Sequence, residues 1–471
     1  MCKKCKHIEF SSENVYSGFD LPLKRCPICG EKMSGDGHNI PYEMLMGIKG
    51  DKIPDISLNV PCSVKNDVIN HLCELFGKEK LAFAGCISKI FESKTERYIS
   101  LYEELEGKEF SDSEKIDIIC QTNGIKNKEE VHPARIFILP KNEDFLSYTP
   151  LKNHRVENCL LDKVTHFDFH DLYDTITKIN LLGYKPMEHL ALAEKYTGIN
   201  RNEIDLTSPE IYSLFRNSDV LGIDSDEPGT LGIPEFSVKV VKEILNQVQP
   251  NSFGELVKIS GLSHGTNTWF NNAKDLLKNE NATIKEVAAT REDVFSDLVS
   301  FGIDRYDAFK IAQSVRKGLF AKNKIDKENS DNLMNILNNS NAPDWYIHSI
   351  IKVFYMFPKA HAVEYVRIAV MLAWFKIHYP TEFYAAYFEV YMKEEKYNFL
   401  PLGFDGIALH LDRIKSTLGT GSKYVEEMEK MSIFEECFFR GIKFIYRKEN
   451  DSTTYIPTKE KTIAINRNNG Y

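Results

Sequence analysis

The chain has 471 residues, 42% apolar and 27% charged, the ordinary composition of a globular protein of roughly two to four domains. Its net charge of −9 argues against a uniformly basic nucleic-acid coat, although a large protein needs only a basic cleft. No stretch reaches the ~18 apolar residues of a membrane span and Met1-Cys2-Lys3-Lys4-Cys5 has no apolar leader core, so the expected location is the cytoplasm, with no membrane partner.

The first feature in chain order is a predicted metal site. Four of the ten cysteines form two Cys-x2-Cys pairs, Cys2 with Cys5 and Cys26 with Cys29, separated by twenty residues. Each pair presents two thiolates to one tetrahedral ion. Four thiolates close the coordination shell, which predicts a structural Zn2+ rather than a catalytic one. Disulfides are the competing reading, disfavoured in a chain with no secretion signal. The other cysteines stand singly and read as small buried apolar residues.

Further on, Ile56, Leu58 and Val60 alternate with polar neighbours, which predicts a half-buried strand. Residues 67–123 read as helical, with apolar residues at three- and four-residue steps. His132–Leu139, Val164–Phe169 and Thr177–Gly183 are predicted strands. From Met187 onward the chain reads as mostly helical, with turns near Gly229 and Pro234. Cys437–Tyr446, Thr453–Ile456 and Thr462–Ile465 are predicted strands near the end.

Two charged sets stand out along the way. His166, Asp168 and His170 alternate on one strand face, a pattern open to a metal or a packing role, with packing favoured. Lys310, Arg316, Lys317, Lys322, Lys324 and Lys327 form a basic stretch with Asp326 as its only acid. It reads equally as a nucleic-acid footprint or as a solvated helix face followed by a loop.

Several segments, in order, resemble PolC-type DNA polymerase III α subunits, the C-family bacterial replicative polymerases. They are the tetracysteine segment with Gly18-Phe19-Asp20-Leu21-Pro22, then Gly47-Ile48-Lys49-Gly50-Asp51-Lys52-Ile53-Pro54-Asp55-Ile56, Thr165–His170 and Gly229–Phe236. The most specific are Leu256-Val257-Lys258-Ile259-Ser260-Gly261-Leu262-Ser263-His264-Gly265-Thr266 and Tyr355-Met356-Phe357-Pro358-Lys359-Ala360-His361-Ala362. The resemblance implies an α+β, multidomain fold. It places a zinc module at residues 1–49, a mixed α/β palm at 50–80 and 131–185, and a helical thumb insert at 81–130. Mostly α-helical fingers follow at 186–400, then a short β-rich tail at 401–471 that begins a duplex-binding region. The family's OB, phosphoesterase-like and exonuclease regions, its Gly/Ser-rich phosphate motif and its clamp-binding tail are expected to lie outside this chain.

Polymerase palms hold two Mg2+ ions ~3.5–4 Å apart with carboxylates. The family supplies three aspartates, two of them two residues apart on one strand face. The resemblance maps that pair onto Asp55 and Ser57 and the third onto Asn180, so one carboxylate remains; Asp51 and Asp67 are the nearby acids that a slipped alignment would use. Val131-His132-Pro133-Ala134-Arg135 stands where the family has two glycines after the proline. Arg291, Lys359 and His361 map onto basic finger positions facing the incoming triphosphate, and Tyr365, four residues after His361, onto a base-stacking position. Two readings follow. In the preferred one, the chain is a PolC-like portion with impaired catalysis that binds DNA or replication proteins. In the other, it is a DNA-directed DNA polymerase using dNTP and Mg2+, completed by a partner chain.

Overall fold

The structure is a computed structural model that describes residues 1–10, 15–22, 24–33, 35, 37–279, 282–393, 397, 399–419, 421–447 and 453–466. Residues 51–184 form one unit, and residues 1–50 with 185–471 form the other.

The second unit begins with a small hairpin, β1 (Lys24–Arg25) and β2 (Lys32–Met33), and a short helix, α1 (Tyr42–Met46). These residues have too little apolar area for a core of their own. They instead lie on the helices of the same unit. Met44 joins the cluster of Phe295, Ile311 and Tyr346, the Asp20 carboxylate accepts the Phe253 and Gly254 amides at 2.8 Å each, and Glu43 accepts from Arg305 Nε at 2.8 Å.

The unit of residues 51–184 is one mixed sheet with helices. Its elements are β3 (Ile56–Val60), α2 (Lys65–Phe76), β4 (Leu81–Lys89), α3 (Glu92–Glu106), α4 (Asp112–Thr122), β5 (Lys126–Ile138), β6 (Leu151–Asn153), β7 (Lys163–Asp168) and β8 (Thr177–Gly183). The strand order is β3-β8-β5-β4-β7-β6. One face packs Ile136, Ile179 and Leu181 against Ile69, Leu72 and Cys73 of α2. The other carries Ala82, Phe137, Phe145 and Leu172 at one end and polar residues beside them.

Three expectations need correction here. The helical reading of residues 67–123, and with it the all-helical insert at 81–130, fails at β4, an inner strand of the sheet. Leu81-Ala82-Phe83-Ala84-Gly85 is buried on both faces, so it shows no alternation by which to tell a strand from a buried helix. The helical insert is confined to α3 and α4. The strand at Ile56–Val60 is present, but Ile56 and Leu58 are exposed, because β3 is an edge strand and only Val60 reaches the core under α2.

The rest of the chain is mostly helical. The helices are α5 (Lys185–Thr197), α6 (Pro209–Leu214), α7 (Lys239–Val248), α8 (Phe253–His264), α9 (Lys274–Lys278), α10 (Arg291–Ser300), α11 (Arg305–Arg316), α12 (Lys327–Asn338) and α13 (Asp344–Ile351). They continue with α14 (Lys359–His378), α15 (Pro380–Tyr391), α16 (Phe404–Leu418) and α17 (Ser422–Phe439). A three-stranded sheet of β9 (Lys443–Arg447), β10 (Tyr455–Thr458) and β11 (Thr462–Asn466), ordered β10-β11-β9, ends the described chain. The predicted strand at Cys437–Tyr446 is therefore half wrong. Its first part completes α17, where buried Glu436 and Cys437 face the helical core, and only Lys443 onward is extended. Of the tail expected at 401–471, residues 420, 448–452 and 467–471 lie outside the described residues.

Candidate functional site

The cysteine pairs form two matching turns. The Lys6 amide donates to the Cys2 carbonyl at 3.0 Å, and the Gly30 amide donates to the Cys26 carbonyl at 2.9 Å. Lys6 and Gly30, each just past the second cysteine of its pair, share a left-handed backbone with φ of 62° and 70°. The four Sγ atoms lie within 4.8 Å of one another, with Cys2–Cys29 at 3.4 Å and Cys5–Cys26 at 3.5 Å. Thiolates bound tetrahedrally at a Zn–S distance of about 2.3 Å stand about 3.8 Å apart, so this donor set fits one zinc ion and not a pair of disulfides. Among the described residues no other such group of His, Cys, Asp or Glu gathers.

The three aspartate-equivalent positions do come together on one sheet face. β3 and β8 are parallel with Ser57 opposite Asn180, and β5 brings Arg135 opposite Asn180 from the other side. Asp55 precedes β3 by one residue. Asn180 Nδ2 lies 3.4 Å from Ser57 Oγ. What fills the rest of the face is basic. Arg135 Nε donates to Asn180 Oδ1 at 2.9 Å, and its guanidinium lies over the rings of Phe169 at 4.5 Å and Tyr173 at 5.2 Å. Fully buried Lys178 places Nζ 3.4 Å from Asp55 and 3.5 Å from the Tyr173 ring centre. Lys52 lies 3.6 Å from Asp55, and the Tyr173 hydroxyl donates to both Asp55 oxygens at 2.8 and 3.0 Å.

The charge on Asp55 is therefore already answered. Burial raises its pKa, but the Tyr173 hydroxyl and the Lys178 and Lys52 ammonium groups outweigh it and hold the carboxyl below its usual range. Burial of the Lys178 ammonium lowers its pKa, and Asp55 offsets this only in part. This donor set does not fit two magnesium ions. It has one carboxylate, and its nearest neighbours are cations. Asp67 offers no substitute, since it lies in the first turn of α2, on the helix that covers the opposite face. Lys178 was legible in the sequence as the residue two before Asn180 and so on its face. Arg135 was legible as a side chain standing where a glycine was expected. Tyr173 carried no such signal.

The finger-like positions divide. Arg291 and Lys359 are the first residues of α10 and α14, which lie side by side through a bridge between Thr290 and Phe357 and a bond from the Lys359 amide to Glu292 at 2.7 Å. Gly261 of α8 makes room for this pairing: a Cβ there would lie 2.5 Å from the Ala289 carbonyl. The Lys359 ammonium, expected to face a triphosphate, points inward instead. It lies 3.5 Å from Asp293, which also takes the Tyr16 hydroxyl at 2.6 and 2.8 Å and faces Lys258 at 3.6 Å. Arg291 Nε donates to Glu292 at 2.7 Å. His361 and Tyr365 flank Phe357, each with ring centres at 6.0 Å, and His264 stacks on Phe357 at 4.7 Å. His166, Asp168 and His170 make no joint metal set. Asp168 instead accepts the Ile87 amide at 2.6 Å, tying β7 to β4, and pairs with His170 Nδ1 at 2.6 Å.

Comparison with known proteins shows what the chain is similar to. Residues 185–338 match the bacterial DNA polymerase III alpha subunit finger domain. Over most of its own length the chain is also similar to PolC-type DNA polymerase III. It is 34% identical to the protein of Lacticaseibacillus paracasei over 98% of this chain and 32% of that protein. Identity is 36% to that of Caldanaerobacter subterraneus subsp. tengcongensis over 98% and 33%, and 38% to that of Pediococcus pentosaceus over 83% and 27%. The chain thus spans about a third of the length of the first two relatives, and the resemblance read from the motifs is shown for that portion.

Proposed function

We propose that this chain is a PolC-like portion of the DNA replication machinery whose palm-like unit, residues 51–184, has lost two-metal nucleotidyl transfer and keeps a scaffold role on DNA or replication proteins. One observation carries this reading: at the three aspartate positions a single carboxylate remains, neutralised by Lys178, while the Arg135 guanidinium binds the side chain of Asn180. A unit charge ~4 Å from a divalent ion is worth roughly 8 kcal/mol at an effective dielectric near 20. Two missing carboxylates and an added guanidinium therefore all act against magnesium by amounts that a neutral hydroxyl or amide oxygen does not restore. The same cationic face suits a phosphate group. Residues 186–400 are then finger-like, with His361 and Tyr365 as the positions best placed to meet a nucleotide. The cysteine quartet, Cys2, Cys5, Cys26 and Cys29, would hold one structural zinc.

Primer extension by the purified chain, with magnesium or manganese, tests the reading. The expected result is no extension at a replicative rate. A Ser57→Asp, Asn180→Asp, Arg135→Gly variant is expected to gain manganese binding by calorimetry while extending poorly. Robust extension by the unmodified chain, abolished by Asp55→Ala, would instead make it a DNA-directed DNA polymerase with unconventional ligands.

A further inference from the structure

The helical insert of the sheet unit has an outer face that its own unit covers only at Tyr102, whose ring lies 5.6 Å from that of Phe110. α3 turns Thr95 and Ile99 inward, where both are buried. Tyr98, Leu101, Tyr102 and Leu105 follow i, i+3, i+4, i+7 spacing and so form one stripe along the helix. They are 47%, 50%, 45% and 74% exposed. Single exposed apolar residues are common and mean little. Four large ones in register make a patch of roughly the few-hundred-Å2 size that marks an interaction site on a soluble protein.

The charge around the stripe selects its occupant. Residues 92–122 contain nine Asp or Glu against four Lys or Arg. Some acids are committed within the insert: Glu103 pairs with Lys115 at 3.0 Å, and Glu114 closes a capping box with Ser111. Lys94 Nζ lies over the Tyr98 ring at 5.7 Å, at the start of the stripe, while Glu104 and Glu106 remain exposed on the turn that carries Leu101, Tyr102 and Leu105. Nucleic acid is a poor fit to such a surface, because its phosphates would meet like charge. A second copy docking insert to insert would likewise set acids against acids.

We propose that α3 is a docking surface for an amphipathic helix of a partner protein, with an apolar face that covers the Tyr98–Leu105 stripe and Lys or Arg flanks that meet the glutamates. This is the helix-on-helix mode of recognition, in which apolar anchors give affinity and rim charges give selectivity. It goes beyond the proposed loss of catalysis and stands whether or not that reading holds.

The test uses the full chain and two labelled synthetic helical peptides with the same leucine face, one flanked by lysine and one by glutamate. Fluorescence anisotropy should show the lysine peptide binding and the glutamate peptide binding at least about tenfold more weakly. Leu101→Ser with Leu105→Ser should weaken the lysine peptide about tenfold or more, as expected for central apolar anchors. Glu104→Lys with Glu106→Lys should reverse the preference between peptides. These substitutions are at exposed positions, so unchanged circular-dichroism melts are expected, and hydrogen exchange should place the protection on residues 92–122. Equal binding of both peptides, protection elsewhere in the acidic chain, or indifference to Leu101→Ser with Leu105→Ser would overturn the proposal. So would protection of this segment by duplex DNA, or self-association of the chain abolished by the serine variant.

Discussion

At the scale of single residues, charge has been rearranged at both ends of the proposed polymerase chemistry. In the sheet unit Arg135 and Lys178 stand on the face of Asn180 and Asp55. In the helical unit the Lys359 ammonium is drawn to Asp293, and the His264 ring stacks on Phe357 and lies 5.6 Å from that of Tyr365. Burial lowers the pKa of His264, but the Glu235 carboxylate at 3.1 Å and the Ser260 carbonyl at 2.8 Å outweigh it and raise it overall. The sign of its effect on stability follows. A histidine whose pKa is higher folded than unfolded stabilises the fold fully below its unfolded pKa of about 6.5, and that contribution fades as pH rises through the folded value. Glu235→Gln is expected to lower the His264 pKa in an NMR titration and to flatten the pH dependence of the urea midpoint above the unfolded value of about pH 6.5. An unchanged titration would mean that the pair does not form in solution.

At the scale of elements, the N-terminal module shows how a metal can govern more than its own loop. Its hairpin strands are two residues each, too short to persist without the cysteine cluster. Yet it delivers the Tyr16 hydroxyl to Asp293 and the Asp20 carboxylate to the start of α8. Chelation of the proposed zinc is therefore expected to release one metal per chain and to speed hydrogen exchange at Phe253 and Gly254 as well as at residues 1–33. Release without any change in α8 would confine the metal's role to the hairpin. The cysteine turns were legible because spacing alone defines a tetrahedral donor set. The strands at Thr177–Gly183 and Lys163–Asp168 were legible from apolar alternation and β-branched content. β4 was not, since burial on both faces erases alternation, and neither was the end of α17, where an aromatic run reads as a strand until its packing is known. The inward turn of Lys359 was hidden for a different reason: its partner, Asp293, is sixty-six residues away, and nothing local marks the pair.

At the scale of the whole molecule, a net charge of −9 and a proposed DNA role are compatible only if the phosphates bound are few and local. In the proposed role the basic stretch would supply the cations for them. Lys310 lies exposed at the middle of α11, Lys317, Lys322 and Lys324 are exposed in the turn that follows, and Lys327 opens α12. Lys322 donates to the carbonyls of Lys317 and Phe354 at 2.9 and 2.8 Å, which holds its charge in a fixed place without neutralising it. Each phosphate neutralised by such a side chain releases condensed counterion, so the logarithm of the affinity for duplex DNA should fall linearly with the logarithm of salt, by about 0.9 per phosphate. Five exposed lysines set the ceiling on this stretch's share of that slope. Substituting Lys317 and Lys324 by alanine should weaken binding on any sequence and reduce the slope by about 1 for each phosphate that goes unneutralised. Removing magnesium with a chelator should leave the affinity unchanged, because the sheet-face site offers the metal one carboxylate already held by Lys178. Salt-independent binding, or an unaltered slope in the lysine variant, would move the DNA interface away from α11 and α12.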